Sequence, residues 1–316
     1  MYRTIMVPLD GSSFGEYALP LALGIARRAG ARVELVHVCA PLGPNVFGAA
    51  LDAPVLGEAR LAQLRERAHT YIDHLATCLS ERWEIMMTTA VLEGPAADTL
   101  YDHACASGAD LVAMTTHGYG PLGRAWMGSV ADTLVRRLPM PLLLARPHAE
   151  ALDVLEAVHE RPFAHVLIPL DGSALAEEAI EPALALGQLM EAEYTLLEAI
   201  EAPVLGYAPA AQVTGLDDHV LEQWRADALA RLERVAGRMR ERGVIVQTDV
   251  AYGQPAVTII EYAREHAADL IALTTHGRGG AMRLLLGSVA DKVVRGAGVP
   301  VLIQRSREHD EDAKAS

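Results

Sequence analysis

Short apolar runs alternate with longer amphipathic segments along the whole chain. In the first half, runs rich in aliphatic and β-branched residues predict strands at residues 4–9, 33–39, about 86–92, 110–115 and 141–146. Longer helices are predicted at 61–79 and 221–240, and shorter ones at 96–106 and 255–266. Strands that alternate with crossover helices in this way are typical of a parallel sheet built from βαβ units.

The first predicted helix carries its own start and stop signals. Apolar residues recur at helical spacing through Ala18, Leu21, Ala22, Ile25 and Ala29. Ser13 and Glu16 have the spacing of a capping box, and Gly30 predicts the end of the helix. The stretches 40–57 and 201–217, which are rich in Gly, Pro and Ala, are predicted to be connections.

The two halves of the chain repeat one another in three blocks that keep the same order. Thr4 begins the block TIMVPLDGS, which recurs from His165 as HVLIPLDGS. Ala109 begins ADLVAMTTHG, which recurs from Ala268 as ADLIALTTHG, and GSVAD follows in both halves. The repeat predicts two tandem α/β domains. Each is expected to be a doubly wound, Rossmann-like, five-stranded and mainly parallel sheet with helices on both faces.

The length of 316 residues fits two domains of about 150 residues each. We place domain 1 at residues 1–147 and domain 2 at 163–306. Residues 148–162 form the predicted linker, and the polar segment 307–316 is a predicted tail.

Composition excludes several classes of function. A net charge of −14 argues against a nucleic-acid partner, although local basic residues can still hold a small anion. Apolar runs stay short of the roughly 20 residues that span a membrane, and the N-terminus lacks the apolar core of a signal peptide. We therefore expect a cytoplasmic protein with no membrane partner. The three cysteines have no metal-ligand spacing, so no metal site is predicted.

Polar and glycine residues follow the first and fourth strands of each half. In a doubly wound sheet, ligands bind beyond the carboxyl ends of the strands at the switch point, where Asp10 and Thr116 are expected to meet. Nine residues separate Gly118 from Gly128, and the second half keeps that spacing. Such a loop, followed by a helix N-terminus, favours contact between backbone amides and phosphates.

This glycine spacing resembles the universal stress protein family, and the resemblance covers nearly the whole chain. ATP-binding members of the family carry Gly, two residues, Gly, nine residues, then Gly followed by Ser or Thr. The second and third glycines match in both halves, whereas Thr115 and Thr274 replace the first. The resemblance implies an adenine nucleotide alpha hydrolase-like fold. A threonine at that position either crowds the ribose and phosphates or donates a hydrogen bond to them.

The resemblance also implies roles for individual residues. Asp10 and Asp171 would contact the adenine or ribose, Val38 and Ala199 would line the base pocket, and Ser129 and Ser288 would reach phosphate oxygens. The candidate cofactor-binding residues of domain 1 are Pro8, Asp10, Gly11, Val38, Met114, Thr115, His117, Gly118, Arg124, Gly128, Ser129 and Val130. Those of domain 2 are Pro169, Asp171, Gly172, Ala199, Leu273, Thr274, His276, Gly277, Arg278, Arg283, Gly287, Ser288 and Val289.

Each feature also has a purely structural interpretation. The glycines can serve tight turns, and Ser129 with Asp132, like Ser288 with Asp291, fits a helix-capping pattern. The loop histidines lack a companion nucleophile or carboxylate at an obvious spacing, so no catalytic residue is predicted. Arg124 and Arg283 either meet phosphate or remain solvated. Arg278, which stands where the first half has Tyr119, makes domain 2 the more basic of the two expected anion sites.

Three functions stay open at this point. The first is a stress-response regulator that binds ATP, or alternatively AMP or ADP, with or without Mg²⁺, in one or both domains. In the family, the terminal strand pairs domains, so residues 141–146 and 300–305 are expected to pair the two halves or a homodimer. The second is a slow ATP hydrolase, and the third is a nucleotide-free module that binds a protein partner.

Overall fold

The computed structural model describes residues 2–40, 53–116, 127–146, 161–201, 218–275 and 286–306, with backbone alone at 53–60 and 218. The chain divides into two compact units, Met1–Pro162 and Phe163–Ser316, which contain the predicted domains 1 and 2 respectively. The exact ends of the linker and tail stay predictions.

Domain 1 is a parallel sheet with crossover helices. Its described strands lie in the order β3-β2-β1-β4-β5, and each pairs in parallel with its neighbour. A short 3₁₀ helix, Gly15–Ala18, precedes α1. The elements are β1 Thr4–Leu9, α1 Leu19–Ala29, β2 Arg32–Cys39, α2 Ala53–Trp83, β3 Met87–Glu93, α3 Ala96–Ser107, β4 Leu111–Thr115, α4 Ser129–Arg137 and β5 Leu142–Ala145.

Domain 2 repeats this plan with small differences. Its described strands lie in the equivalent order β8-β7-β6-β9-β10, again with parallel pairing. The elements are β6 His165–Pro169, α5 Ala174–Glu177, α6 Ile180–Leu189, β7 Glu193–Ile200, α7 Asp218–Arg240, β8 Val246–Tyr252, α8 Pro255–Glu265, β9 Leu270–Thr274, α9 Ser288–Gly296 and β10 Val301–Gln304.

The predicted doubly wound α/β architecture is confirmed in both domains. Strands β1, β2 and β3 progress in one direction across the sheet, whereas β4 and β5 progress in the other. Right-handed crossovers therefore place α1 and α2 on one face and α3 and α4 on the opposite face, where α3 packs against α4. The direction of winding changes between β1 and β4 in domain 1, and between β6 and β9 in domain 2.

The helix bounds differ from the sequence prediction mainly at α2. This helix begins at Ala53 and ends at Trp83, so it includes residues that the sequence assigns to the connection 40–57. Pro54 suggests a loop in the sequence, yet proline is well tolerated in the first turn of a helix, where its missing N–H has no partner to lose.

The predicted capping box of Ser13 and Glu16 is wrong. The N-cap residue of the 3₁₀ helix is Phe14, and the Oγ of Ser12 rather than of Ser13 accepts a hydrogen bond from the Gly15 N–H, at 3.1 Å. The Glu16 carboxylate accepts a hydrogen bond from the Tyr71 hydroxyl at 2.7 Å. The predicted stop at Gly30 is confirmed: its φ of 64° lies in the left-handed region that ends many helices.

In the part of the chain that the structure describes, the helices are too short or too polar to cross a bilayer.

Candidate functional site

The two strands that flank the switch point end side by side in each domain. In domain 1 the register pairs Ile5 with Leu111 and Met6 with Val112, so Asp10 and Thr116 follow their strands at the same sheet edge. In domain 2 the pairing of Val166 with Leu270 places Asp171 and Thr275 at one sheet edge in the same way. The expected meeting of these strand ends is therefore present in both halves.

An aspartate organises the turn that leaves the first strand of each domain. Oδ1 of Asp10 accepts hydrogen bonds from the backbone N–H of Ser12 at 3.0 Å and from its hydroxyl at 2.6 Å. Asp171 makes the same two bonds to Ser173, at 2.9 and 2.6 Å. Both aspartates therefore act as acceptors within a turn, and a ligand role is an additional proposal.

The glycine after each aspartate has a backbone conformation that disfavours other residues. Gly11 has a φ of 80° and Gly172 a φ of 77°. Both values lie in the left-handed region, where a Cβ atom is strained. These glycines let the chain reverse so that the following serine reaches back to the aspartate.

A helix N-terminus stands at the neighbouring strand end. The Gly128 N–H donates to the Thr116 carbonyl at 2.8 Å, and the Asp132 N–H donates to the Gly128 carbonyl at 2.9 Å at the start of α4. The N–H groups of Ser129, Val130 and Ala131 therefore precede that of Asp132, which is the first to donate to a carbonyl of the helix. Helix α9 repeats this arrangement, with Gly287 bonded to Thr275 at 2.8 Å.

Ser129 and Ser288 do not cap these helices, so the predicted capping role is wrong. The N-cap residues are Gly128 and Gly287, and neither helix has a side-chain cap bond. Both serines are exposed in the first turn. Their presumed partners Asp132 and Asp291 form ion pairs one turn further along, with Arg136 at 2.7 Å and with Arg295 at 2.8 Å.

Those ion pairs affect the electrostatics of the helix start. A lone carboxylate in the first turn would offset the positive end of the helix dipole. Because Asp132 and Asp291 are each paired with an arginine, this opposing charge is largely neutralised.

The two N-cap glycines have φ and ψ values that any residue can adopt. Gly128 has φ −60° and ψ 148°, and Gly287 has φ −56° and ψ 144°. A tight turn with positive φ is therefore not the reason for glycine at either position. A missing side chain beside a row of amides leaves room for close approach of another group.

The candidate residues within the strands are mostly covered. Met114, Thr115, Leu273 and Thr274 are buried at the ends of β4 and β9, and Pro8 is buried in β1. Side chains that are more open belong to Val38, Val130, Pro169, Ala199 and Val289. The remaining candidates, His117, Gly118, Arg124, His276, Gly277, Arg278 and Arg283, lie outside the described residues.

A cavity of about 310 Å³ lies beside the aspartate of domain 2. It includes Ala199, as the sequence predicts, together with side chains from α7 that sequence reasoning missed. We call it the domain 2 hollow. Its lining residues are Asp171, Glu198, Ala199, Ile200, Glu201, Trp224, Asp227 and Arg231.

An ion pair between a buried carboxylate and a half-buried guanidinium forms part of this hollow. The Arg231 guanidinium donates to both carboxylate oxygens of Glu198, with Nη2 to Oε1 at 2.6 Å and Nε to Oε2 at 3.3 Å. The hydrogen bond to Glu198 raises the pKa of Arg231. Glu198 and Arg231 also line a second cavity of about 300 Å³ that extends under α7.

Domain 1 carries different residues at the equivalent positions. The buried residues Ala68, Ile72 and Ala76 of α2 recur 160 residues later in α7 as Ala228, Leu232 and Ala236. Hydrogen bonds support this alignment, because Thr89 donates to Asp73 just as Thr248 donates to Glu233.

The alignment shows what replaces the ion pair in domain 1. Tyr71 stands where domain 2 has Arg231, and the strand register places His37 where domain 2 has Glu198. Burial lowers the pKa of His37, which a hydrogen bond with the Leu9 backbone and the nearby Asp10 carboxylate partly oppose. The two domains therefore carry differently charged side chains next to their equivalent aspartates, Asp10 and Asp171. The sequence alone offers one signal for these residues. It is the difference between the side chains at matched positions of the repeat.

Within the described ranges, no group of three or more His, Cys, Asp or Glu side chains stands close enough to hold a metal ion.

Comparison with known proteins agrees with the duplicated fold. The model of the universal stress protein family matches residues 1–146 and again residues 162–305. The chain belongs to the universal stress protein family. The predicted resemblance is thereby confirmed for both halves.

Relatives in the family match this chain over nearly its full length or over one half of it. A universal stress protein of Mycolicibacterium smegmatis is 28% identical over 308 residues, which cover 96% of this chain and 97% of that protein. A universal stress protein of Methanocaldococcus jannaschii is 33% identical over 144 residues, or 46% of this chain and 83% of that protein.

The crystal structure of a universal stress protein from Archaeoglobus fulgidus has a TM-score of 0.69 at 18% identity. The match covers 96% of this chain and 98% of that one, and at this identity it shows the fold.

Proposed function

We propose that this universal stress protein binds an adenine nucleotide in one or both domains and acts as a stress-response regulator. The observation that carries the proposal is the repeated pairing of a strand-end aspartate with a helix N-terminus at the switch point of each sheet. This is the place where doubly wound folds bind ligands.

The helix N-termini supply the groups that hold phosphates. Ser129, Val130 and Ala131 present backbone N–H groups ahead of the Asp132 N–H, which makes the first bond of α4, and the helix dipole adds a partial positive charge. The exposed Ser129 hydroxyl adds a further donor. A phosphate at this point accepts several hydrogen bonds from groups that are fixed by the fold.

The aspartates supply the groups that hold the nucleoside. Oδ1 of Asp10 is fixed by Ser12, which holds the carboxylate at the sheet edge where ribose hydroxyls would donate to it. In domain 2, Asp171 lines a cavity of a size suited to a base or sugar, together with Ala199.

The proposal also covers the identity of the nucleotide, the pairing of the domains and the location of the protein. ATP is the expected nucleotide, with AMP or ADP as alternatives and with Mg²⁺ as a companion of the phosphates. Pairing of the two domains through their terminal strands, homodimer formation and a cytoplasmic location also stay predictions.

Two measurements test nucleotide binding. Mass spectrometry of the freshly purified, denatured full chain detects a co-purified adenine nucleotide, and calorimetry measures the affinity for ATP with and without Mg²⁺. We expect binding in both experiments. If no nucleotide is released and millimolar Mg-ATP produces neither heat nor a thermal shift, the nucleotide-free partner module is favoured instead. Steady release of phosphate during the titration would favour the slow hydrolase.

A pair of substitutions locates the phosphate site. Ser129→Glu and Ser288→Glu place a carboxylate at exposed first-turn positions, where a negative charge is compatible with the helix. The folded state should persist, whereas repulsion should weaken ATP binding by about tenfold or more. Ser129→Ala and Ser288→Ala are the matched controls and should cause a smaller loss. Unchanged ATP affinity in the double Glu variant would exclude phosphate binding at these helices.

A further inference from the structure

The hollow of domain 2 has a more acidic lining than the equivalent region of domain 1. Asp171, Glu198, Glu201 and Asp227 contribute carboxylates to it, and Arg231 contributes the one cation among its described lining residues. We propose that this hollow selects a guanine base over an adenine base, so that the two domains bind different purine nucleotides. The inference rests on the proposed function: it keeps nucleotide binding in both domains, leaves adenine to domain 1 and assigns guanine to domain 2.

Two of these carboxylates, those of Glu201 and Asp227, lie outside both the ion pair and the aspartate turn. The bidentate bond to Arg231 occupies both oxygens of Glu198, and Ser173 holds one oxygen of Asp171. Glu201 and Asp227 remain as exposed acidic residues at the edge of the hollow.

Domain 1 lacks both of these acidic residues. Ala40 stands at the position of Glu201, directly after the second strand, and Arg67 stands at the position of Asp227 on α2. The added acceptors are therefore a property of domain 2 alone.

The chemistry of the base edges then decides the preference. A carboxylate is acceptor-only, so it pairs with N–H groups and repels acceptor nitrogens. The Watson–Crick edge of guanine presents the N1–H and the 2-amino group side by side, which fit the two oxygens of one carboxylate. Adenine presents a single amino group beside the acceptor N1. A site lined with carboxylates therefore gains two charge-assisted bonds from guanine and suffers one repulsive contact with adenine.

The apolar part of the lining suits a planar base of either kind. Trp224 of α7 lines the hollow with Ala199 and Ile200, and domain 1 has Leu64 at the position of Trp224. An indole ring offers a stacking surface for any base. Stacking therefore supplies affinity, while Glu201 and Asp227 supply the discrimination.

GMP and AMP are the appropriate probes because they carry the same phosphate and sugar. In the full chain with Trp83→Phe and Trp126→Phe, Trp224 is the remaining tryptophan and reports binding in domain 2 by fluorescence. We expect GMP to bind about tenfold or more tightly than AMP. Inosine monophosphate, which keeps the N1–H but lacks the 2-amino group, should fall between them.

Substitutions in the hollow test the assignment. The combined change Glu201→Gln and Asp227→Asn should reduce the ratio of GMP to AMP affinity to nearly one. Glu222→Gln, an exposed acidic position of α7 outside the lining, is the matched control and should leave the ratio unchanged. If the two tryptophan replacements unfold the chain, the same titrations in the unmodified chain and in Trp224→Phe give the domain 2 signal by difference.

The outcomes separate this inference from the proposed function. AMP binding as tight as GMP binding, or a ratio that survives the combined substitution, overturns the guanine preference and leaves nucleotide binding intact. Failure of both nucleotides to change Trp224 fluorescence, together with silent calorimetry of the whole chain, overturns both.

Discussion

Arg231 and Glu198 form a two-bond ion pair in which the carboxylate side chain is 7% exposed and the guanidinium side chain 33% exposed. The equivalent positions of domain 1 hold Tyr71 and His37, so each copy of the fold has its own polar arrangement beside the strand-end aspartate. The pair matters for stability because a buried carboxylate without its partner is costly.

Arg231→Met should lower the free energy of unfolding by about 2 kcal/mol, because it leaves Glu198 buried without its cation. Denaturant midpoints of the full chain measure the loss, and hydrogen exchange in α7 peptides locates it in domain 2. Arg234→Met, three residues along the same helix at an exposed position, should change stability by less than about 0.5 kcal/mol. Adding Glu198→Gln to Arg231→Met should recover part of the loss. An equal effect of both arginine substitutions would show that the pair contributes nothing specific.

Ser173→Ala and Ser288→Ala should differ although both remove a serine near a helix start in domain 2. Ser173 is a true N-cap whose Oγ accepts from the Ala176 N–H at 3.2 Å, so its loss should cost about 1 kcal/mol. Ser288 follows the N-cap and is exposed, so its loss should cost less than about 0.5 kcal/mol. Urea midpoints compare them directly. A greater loss for Ser288→Ala would mean that its hydroxyl does cap α9.

Gly172→Ala and Gly237→Ala should change stability in opposite directions. Gly172 has a φ of 77°, so a Cβ atom there should cost about 1–2 kcal/mol. Gly237 lies inside α7 with open space at its Cβ position, so alanine should stabilise the helix by about 0.5–1 kcal/mol. Thermal melting of the two variants checks the signs, and stabilisation by Gly172→Ala would contradict the turn geometry.

His37 should make the chain less stable in mild acid. Burial lowers its pKa in the folded state, so below the ordinary histidine pKa of about 6.5 the unfolded chain binds a proton that the folded chain does not. Stability contributed by His37 should therefore fall as the pH drops from about 6.5 towards the folded-state pKa, and level off below it.

The comparison of wild type with His37→Gln measures this dependence. Denaturant midpoints at pH 7.5 and 5.5 should converge more closely in the variant, and NMR titration should give a lowered His37 pKa in the folded wild type. Replacement of Asp10 by Asn should lower that pKa further, because the carboxylate favours the protonated ring. A His37 pKa above the ordinary value would contradict the prediction.

The fold was accessible from the sequence because its signals are local and occur twice. The blocks that end in Ser12 and Ser173 mark the same strand and turn, and the glycine stop at Gly30 acts through its own backbone angle. The capping predictions were wrong because a shift of one residue along the chain changes which residue stands at the helix start. Ser12 rather than Ser13 faces the helix start, and Gly128 rather than Ser129 occupies the N-cap.

The part of the site formed by α7 was not accessible in the same way. Arg231 and Trp224 look like ordinary positions of a mixed-charge helix, and their relation to Glu198 depends on how that helix lies over the strand ends. Such long-range placement carries no periodic signal. It emerges when matched positions in the two copies are compared after the helices have been aligned.

The hydrogen bond between the Gly128 N–H and the Thr116 carbonyl joins the two ends of the segment that separates them. When the two ends of a segment are held together, its length can change at a small cost in free energy, because closure entropy grows slowly with loop size. Domain 2 has the same hydrogen bond between the Gly287 N–H and the Thr275 carbonyl. In each half this bond therefore holds the start of the following helix against the sheet edge, whatever the length of the segment between its two ends.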